Sequence, residues 1–145
     1  MEKIIVHASF HAGHRQPDYP GTCRFIHGHT WRGTVQVATA RFPRDAHEMS
    51  IDFGELKDIL KRLDHRLLVT ADDEILRLPD VCEPEGIVVL PGRGPSVEAV
   101  ADYVWSEVVS VITRRYPNRD LTYDITVTIH ETDHNSFVVE RSAVV

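Results

Sequence analysis

The stretch Ile4-Ile5-Val6-His7-Ala8-Ser9-Phe10-His11-Ala12-Gly13-His14 alternates its better-buried and its more polar positions. Ile4, Val6, Ala8, Phe10 and Ala12 fall on one side, and Lys3, Ile5, His7, Ser9 and His11 on the other. A period of two predicts a strand with one buried face, because successive side chains of an extended chain point to opposite sides. His14 closes the apolar side. A second run, Thr30 to Thr39, puts Trp31, Gly33, Val35 and Val37 on one side and Thr30, Arg32, Thr34 and Gln36 on the other. Carried backwards, its apolar side takes in His29 and His27. Two strands therefore enter the reading with His14, His27 and His29 in phase on their apolar faces.

Outward from these strands, Ile51-Asp52-Phe53-Gly54-Glu55-Leu56 carries the signals of a helix start. Asp52 suits the N-cap, Glu55 the reciprocal capping position, and Ile51 with Leu56 the hydrophobic staple. Phe53, Leu56, Ile59, Leu60 and Leu63 then form the expected buried stripe. A second helix follows from Val97, Val100, Ala101, Val104, Trp105, Val108, Val109 and Ile112, which keep the i, i+3, i+4, i+7 spacing. It stops near Tyr116-Pro117-Asn118, where proline cannot continue it. Tyr123, Ile125, Val127 and Ile129 alternate as a third strand, with Glu131 next in phase on the apolar face, and a short fourth strand runs from about Phe137 to Arg141. Between the helices, Arg66 to Pro95 holds the apolar fragment Ile87-Val88-Val89-Leu90 and a Pro-Gly-Arg-Gly-Pro turn. A structureless loop that long is unusual, so it contains a short strand or shapes a site.

With 145 residues, 42% apolar and 26% charged, and no internal repeat or linker, the chain reads as one domain over residues 1–145. Sixteen Lys+Arg against 22 Asp+Glu leave a net charge of −6, which works against nucleic acid and anionic membranes as partners. The N-terminus lacks a signal-peptide core or a membrane span, so a cytoplasmic location is expected. Cys23 and Cys82 make no disulfide framework.

Histidine is the outlier, with nine residues, and His7, His11, His14, His27, His29 and His65 gather in the first half. His27 and His29, two apart on a strand, point the same way, and His14 from the neighbouring strand can complete a three-nitrogen face around Zn²⁺ with an open fourth position. That is the donor set of a catalytic rather than a structural zinc. Cys23 is open to three readings: a fourth ligand, an inert small apolar residue, or a base or nucleophile acidified by the nearby metal and by Arg15 or Arg24. Asp64-His65 at the end of the first helix offers a carboxylate orienting an imidazole, provided the helix ends there. Glu131 needs a partner or a ligand carrying paired N–H donors to offset its desolvation. Glu98 favours the positive end of the second helix.

These residues resemble the 6-pyruvoyltetrahydropterin synthase and 6-carboxytetrahydropterin synthase family. The matching pieces are Phe10-His11-Ala12-Gly13-His14-Arg15, Cys23 with His27-Gly28-His29, Ile51 to Lys57, Leu63-Asp64-His65, Pro95-Ser96-Val97-Glu98 and His130-Glu131-Thr132, in family order over nearly the whole chain. The resemblance implies an α+β tunnelling fold: a four-stranded antiparallel sheet in ββααββ order with two helices on one face. It also implies a homohexamer, a dimer of trimers, whose sheets close into a barrel with sites at subunit interfaces. Carried over by position, His14, His27 and His29 look like the zinc ligands, Cys23 like the general base, and Asp64 and His65 like its proton-relay partners. Glu131 looks like the pterin anchor, with Glu98 and Ser96 beside the substrate.

The implied reaction is zinc-dependent conversion of 7,8-dihydroneopterin triphosphate to 6-carboxy-5,6,7,8-tetrahydropterin, with loss of acetaldehyde and triphosphate, on a deazapurine route to modified nucleosides such as queuosine. The alternatives are the sister 6-pyruvoyl activity, which keeps the side chain whole, and a noncatalytic pterin- or metal-binding homologue. This chain departs from the family pattern at His11, Gly13 and Ser96, and by the length of its Arg66–Pro95 segment. No acidic residue stands between Cys23 and His27, which argues against the branch that uses a glutamate in place of the cysteine.

Overall fold

β1 (Glu2–His14) and β2 (His27–Thr39) pair antiparallel along their whole length in the computed structural model, which describes residues 1–78 and 83–145. Glu2 opposes Thr39 at one end and His14 opposes His27 at the other. After β2 come α1 (Phe53–Lys61), β3 (Arg66–Thr70), β4 (Ile87–Leu90), α2 (Val97–Arg115), β5 (Thr122–His130) and β6 (Ser136–Val144). β5 pairs antiparallel with β2, and β6 with β5, so the four expected strands lie in the order β1-β2-β5-β6.

The sheet nevertheless has six strands among the described residues, not four, and it is mixed rather than antiparallel: its order is β4-β3-β1-β2-β5-β6. Ala12 to His14 pair in parallel with Arg66 to Leu68, and β3 in turn pairs in parallel with β4. The additional strands follow from two needs. The outer edge of β1 beside His14 would otherwise leave backbone groups without partners. Leu68, Val69 and Leu90 also bury almost all their surface there. The element order is therefore ββαββαββ, and the Arg66–Pro95 segment supplies strands. Cys82, also within that segment, lies outside the described residues.

One continuous core joins both helices to one face of the sheet. It takes Val6, Phe10, Val35 and Ile125 from the strands, Leu56 and Leu60 from α1, and Val100 and Val104 from α2. Asp52 caps α1 by accepting from the Gly54 amide at 2.7 Å, and Ser96 caps α2 by accepting from the Ala99 amide at 3.3 Å. Phe53 does not join the stripe: it is the first residue of α1, ahead of the turn that faces the sheet, and is 57% exposed. Leu60 packs down on β2 because residue 33 is glycine. A Cβ there would meet the Leu60 methyls at 2.5 and 2.8 Å.

The opposite sheet face is polar and open. His7, Ser9, His11, Arg32 and Thr34 line it, with a hydrogen bond of 2.9 Å between His7 Nδ1 and Thr34 Oγ1. No helix among the described residues is long and apolar enough to cross a membrane.

Candidate functional site

The register of β1 on β2 assembles the first part of the site. His14 faces His27 directly across the ladder, and His29, two residues along, opposes Ala12 and shares the same face. Their rings approach with centroids 4.6 to 5.2 Å apart, and one nitrogen from each falls within 4.8 Å of the others. Trp31 forms the floor, 5.1 Å from the His14 ring and 5.5 Å from His29, and stacks on Phe10. Its indole N–H donates to the Ala12 carbonyl at 3.1 Å, which fixes the floor to β1.

Two backbone carbonyls set the protons of this cluster. His14 Nδ1 lies 2.7 Å from the Pro95 carbonyl, and His27 Nδ1 lies 2.7 Å from the Phe25 carbonyl. A carbonyl only accepts, so each Nδ1 carries a proton and donates, and Nε2 is the nitrogen each ring turns outward. Burial pushes His14 below the ordinary imidazole range, against the opposing effects of the Pro95 bond and Glu131, which keeps that ring neutral at pH 7. The Nε2 atoms of His14 and His29 are buried with no hydrogen-bond partner. Three converging imidazoles over an apolar floor, two with unpartnered Nε2 atoms and with the Nδ1 atoms of His14 and His27 held by carbonyls, fit a divalent metal. The cluster is consistent with a metal site.

Glu131 follows the end of β5 and is about three-quarters buried, with Oε1 3.4 Å from His14 Nε2 and 3.8 Å from His29 Nε2. The turn beyond it is tied by Thr132, whose hydroxyl accepts from the amides of His134 and Asn135 at 3.2 and 3.1 Å.

The second part of the site lies on the other face. α1 ends before Asp64, as the carboxylate–imidazole pair requires. Asp64 Oδ2 sits 2.9 Å from His65 Nδ1, while Oδ1 accepts from the His11 amide at 2.7 Å. The His65 amide donates back to the His11 carbonyl at 2.6 Å, so β1 clasps the pair at two points. His65 adopts φ of 55°, a left-handed conformation that costs a non-glycine residue about 1–3 kcal/mol and is retained where surrounding contacts determine it. The His11 amide, then the His65 ring, hold the Asp64 carboxyl below its usual range. His65 and His11, rings 6.0 Å apart, border a cleft of about 520 Å³ with Thr30, His29 and Arg66.

The remaining candidates are dispersed. Cys23 is exposed on a short helical turn after β1, where its carbonyl accepts from the Gln16 amide at 2.7 Å, and its thiol is not part of the metal-capable group. Glu98 is exposed in the first turn of α2, and the Ser96 hydroxyl is engaged in capping. The carbonyls of Pro95 and Phe25 escape sequence reasoning because backbone acceptors leave no side-chain signal. His11 is visible only as a polar-phase histidine, and its role as a clasp depends on a contact 53 positions away.

Comparison with known proteins places the chain in one family. The family described as 6-pyruvoyl tetrahydropterin synthase matches residues 3–142. A 6-carboxy-5,6,7,8-tetrahydropterin synthase of Rickettsia conorii is 32% identical over 114 residues, covering 74% of this chain and 80% of the relative. One from Synechocystis is 42% identical over 67 residues, covering 41% of this chain and 52% of the relative. A 6-pyruvoyltetrahydropterin synthase structure from Plasmodium vivax, a catalytic-residue variant, superposes with a TM-score of 0.65 at 20% identity and covers 98% of both chains. The Caenorhabditis elegans structure of that name gives 0.54 at 23% identity, covering 97% of this chain and 95% of its own. These superpositions establish the fold.

Proposed function

The chain belongs to the 6-pyruvoyl tetrahydropterin synthase family of lyases, and on that footing we propose that it converts 7,8-dihydroneopterin triphosphate to 6-carboxy-5,6,7,8-tetrahydropterin. The observation that carries the reading is the convergence of three imidazoles, two of them with buried, unpartnered Nε2 atoms. The names of the curated relatives favour the carboxy product over the 6-pyruvoyl one. His14, His27 and His29 would hold a zinc ion, whose positive charge would make the carbons of the substrate side chain more acidic.

The chain's own groups do the rest. Cys23, exposed beside the histidine strands, takes a proton from the side chain. His65 moves that proton, with Asp64 fixing its Nδ1–H tautomer and leaving Nε2 free to exchange. Glu131 accepts two parallel hydrogen bonds from the amino-pyrimidinone edge of the pterin. Ser96 and Glu98, at the start of α2, border the substrate.

The placement of these groups bears on assembly. The histidine cluster lies at the ends of β1 and β2 that pair His14 with His27, and His65 opens with His11 and Thr30 on a cleft that His29 also borders. We place this cleft at a subunit boundary of a homohexamer, a dimer of trimers, in which the Asp64–His65 pair of one copy serves the metal of another. The open face of hydroxyl, imidazole and guanidinium side chains suits the wet interior of a closed barrel. The whole described chain acts as a single domain in this reading, and the reaction needs neither nucleic acid nor membrane.

The test is direct. Zinc-loaded protein is incubated with 7,8-dihydroneopterin triphosphate, and acetaldehyde and triphosphate are quantified together by mass spectrometry. Both products in equal amount are expected; triphosphate alone assigns the 6-pyruvoyl reaction instead, and neither product refutes the proposed activity.

A further inference from the structure

Glu131 stands in an electrostatic position that a pterin anchor alone does not require. Its Oε1 faces His14 Nε2 at 3.4 Å and His29 Nε2 at 3.8 Å, and neither nitrogen makes a hydrogen bond. His14 Nδ1 donates to the Pro95 carbonyl, so in the neutral ring Nε2 turns a lone pair toward a carboxylate oxygen. Two acceptors at that distance repel unless a proton or a metal cation lies between them, and the further approach of His29 Nε2 to the same oxygen suits a metal shared by all three atoms. Around a tetrahedral zinc with ligands at about 2.0–2.1 Å, neighbouring ligand atoms stand about 3.3 Å apart. The oxygen is thus near ligand spacing from two of the three histidines, with little side-chain movement needed to complete the set.

We propose that Glu131 is a fourth ligand of the metal held by His14, His27 and His29, closing the site without substrate and leaving it when a pterin edge takes the carboxylate. The exchange needs no proton or electron: one carboxylate–metal contact is traded for two N–H···O bonds, and the vacated position opens to the substrate side chain. The metal would then stay shielded from water until a pterin is seated. This inference rests on the metal reading of the histidine cluster and on the anchor reading of Glu131.

Co²⁺ provides a spectroscopic probe of both steps. The Co²⁺-loaded wild-type chain, Glu131→Ala and Glu131→Gln are compared by visible absorption from about pH 6 to 9 and by metal titration. A carboxylate-closed site gives a spectrum that does not change with pH. In Glu131→Ala a water takes the fourth position, and its ionisation near neutral pH makes the spectrum pH-dependent. Affinity should fall at least about tenfold, the scale on which even outer partners of ligands act. Glu131→Gln keeps the side-chain shape and serves if the alanine variant does not fold. Then 6-methyl-7,8-dihydropterin, which has the ring edge but no side-chain hydroxyls, is added to the wild type. It should convert the closed spectrum to the water-bound one.

Identical affinity and spectra in wild type and Glu131→Ala overturn the ligation. A pterin that binds by equilibrium dialysis yet leaves the wild-type spectrum unchanged overturns the exchange. Failure of the underlying readings looks different: Co²⁺ still bound tightly by a His27→Ala/His29→Ala chain refutes the histidine site, and absence of any pterin binding refutes the anchor.

Discussion

Asp64→Asn isolates the clasp between β1 and the end of α1. Asp64 uses its two oxygens for different tasks: Oδ1 accepts from the His11 amide at 2.7 Å, and Oδ2 meets His65 Nδ1 at 2.9 Å. Asparagine can keep only one of these as it stands. Its carbonyl oxygen continues to accept from the His11 amide, because an NH₂ group there would set donor against donor. The NH₂ must then point at His65 Nδ1, which becomes an acceptor, and the ring's proton moves to Nε2. The backbone clasp from the His65 amide to the His11 carbonyl at 2.6 Å is untouched, so the fold and the φ of 55° at His65 should persist.

The variant is therefore expected to fold, bind metal and bind pterin, while holding His65 in the tautomer that cannot receive a proton at Nε2. General acid–base transfer contributes about a hundredfold to ten-thousandfold to a rate, and that is the expected loss in kcat, with little change in KM. Two assays run together: steady-state release of triphosphate, and ¹⁵N chemical shifts of the ring-labelled histidines, which report the tautomer. Turnover within a few-fold of wild type, with the ring shown to have switched, would refute the relay. An unswitched ring would refute the hydrogen-bond argument itself.

Three further outcomes follow from other contacts. Gly33→Ala sets a methyl 2.5 Å from a Leu60 methyl; overpacking of about 1–3 kcal/mol, less about 0.5–1 from the removed glycine, predicts a net loss of about 0–2.5 kcal/mol in urea melts. Adding Leu60→Ala, which alone costs about 2–5 kcal/mol, should give less than the sum, and strict additivity would show the pair is not in contact. For the metal-free chain, His14 is held below its ordinary value of 6.5 by burial, so the unfolded chain takes up a proton that the folded chain refuses. Stability is then full above that pH and falls as pH drops below about 6.5, and a melting temperature that stays flat as the pH is lowered from neutrality would contradict it. Cys23→Ala should abolish turnover and leave one bound metal per chain by elemental analysis, since the thiol lies outside the histidine group.

The histidine cluster was legible from the chain alone because a strand encodes direction in every second residue. Once Trp31, Val35 and Val37 define the buried side of β2, His27 and His29 have no freedom to face elsewhere. β3 was not legible for the converse reason. Leu67-Leu68-Val69 is too short to show a period, and its extended form depends on pairing with Ala12 to His14, a contact remote in sequence. Ile87–Leu90 could be anticipated as a strand, but its partner could not. Phe53 has the right helical phase and the wrong position, one residue past the cap, where phase no longer determines burial. The direction of Glu131 toward the histidines required the turn beyond β5 as well as its phase.

A single register connects the two halves of the site. His14 and His11 are three positions apart on β1, so their side chains emerge on opposite faces: the His14 ring among the metal-capable histidines, the His11 ring beside His65, while the His11 backbone clasps Asp64 and His65. A slip of β1 against β2 by one residue would send both to the wrong side and separate His14 from His27. What prevents that slip lies in the core rather than in the site. Phe10 stacks on Trp31 across the ladder, the Trp31 indole is bonded to the Ala12 carbonyl, and Leu60 occupies the space over Gly33. Mutations at these three contacts should therefore loosen metal binding and proton transfer together, although none of their side chains touches a reacting atom.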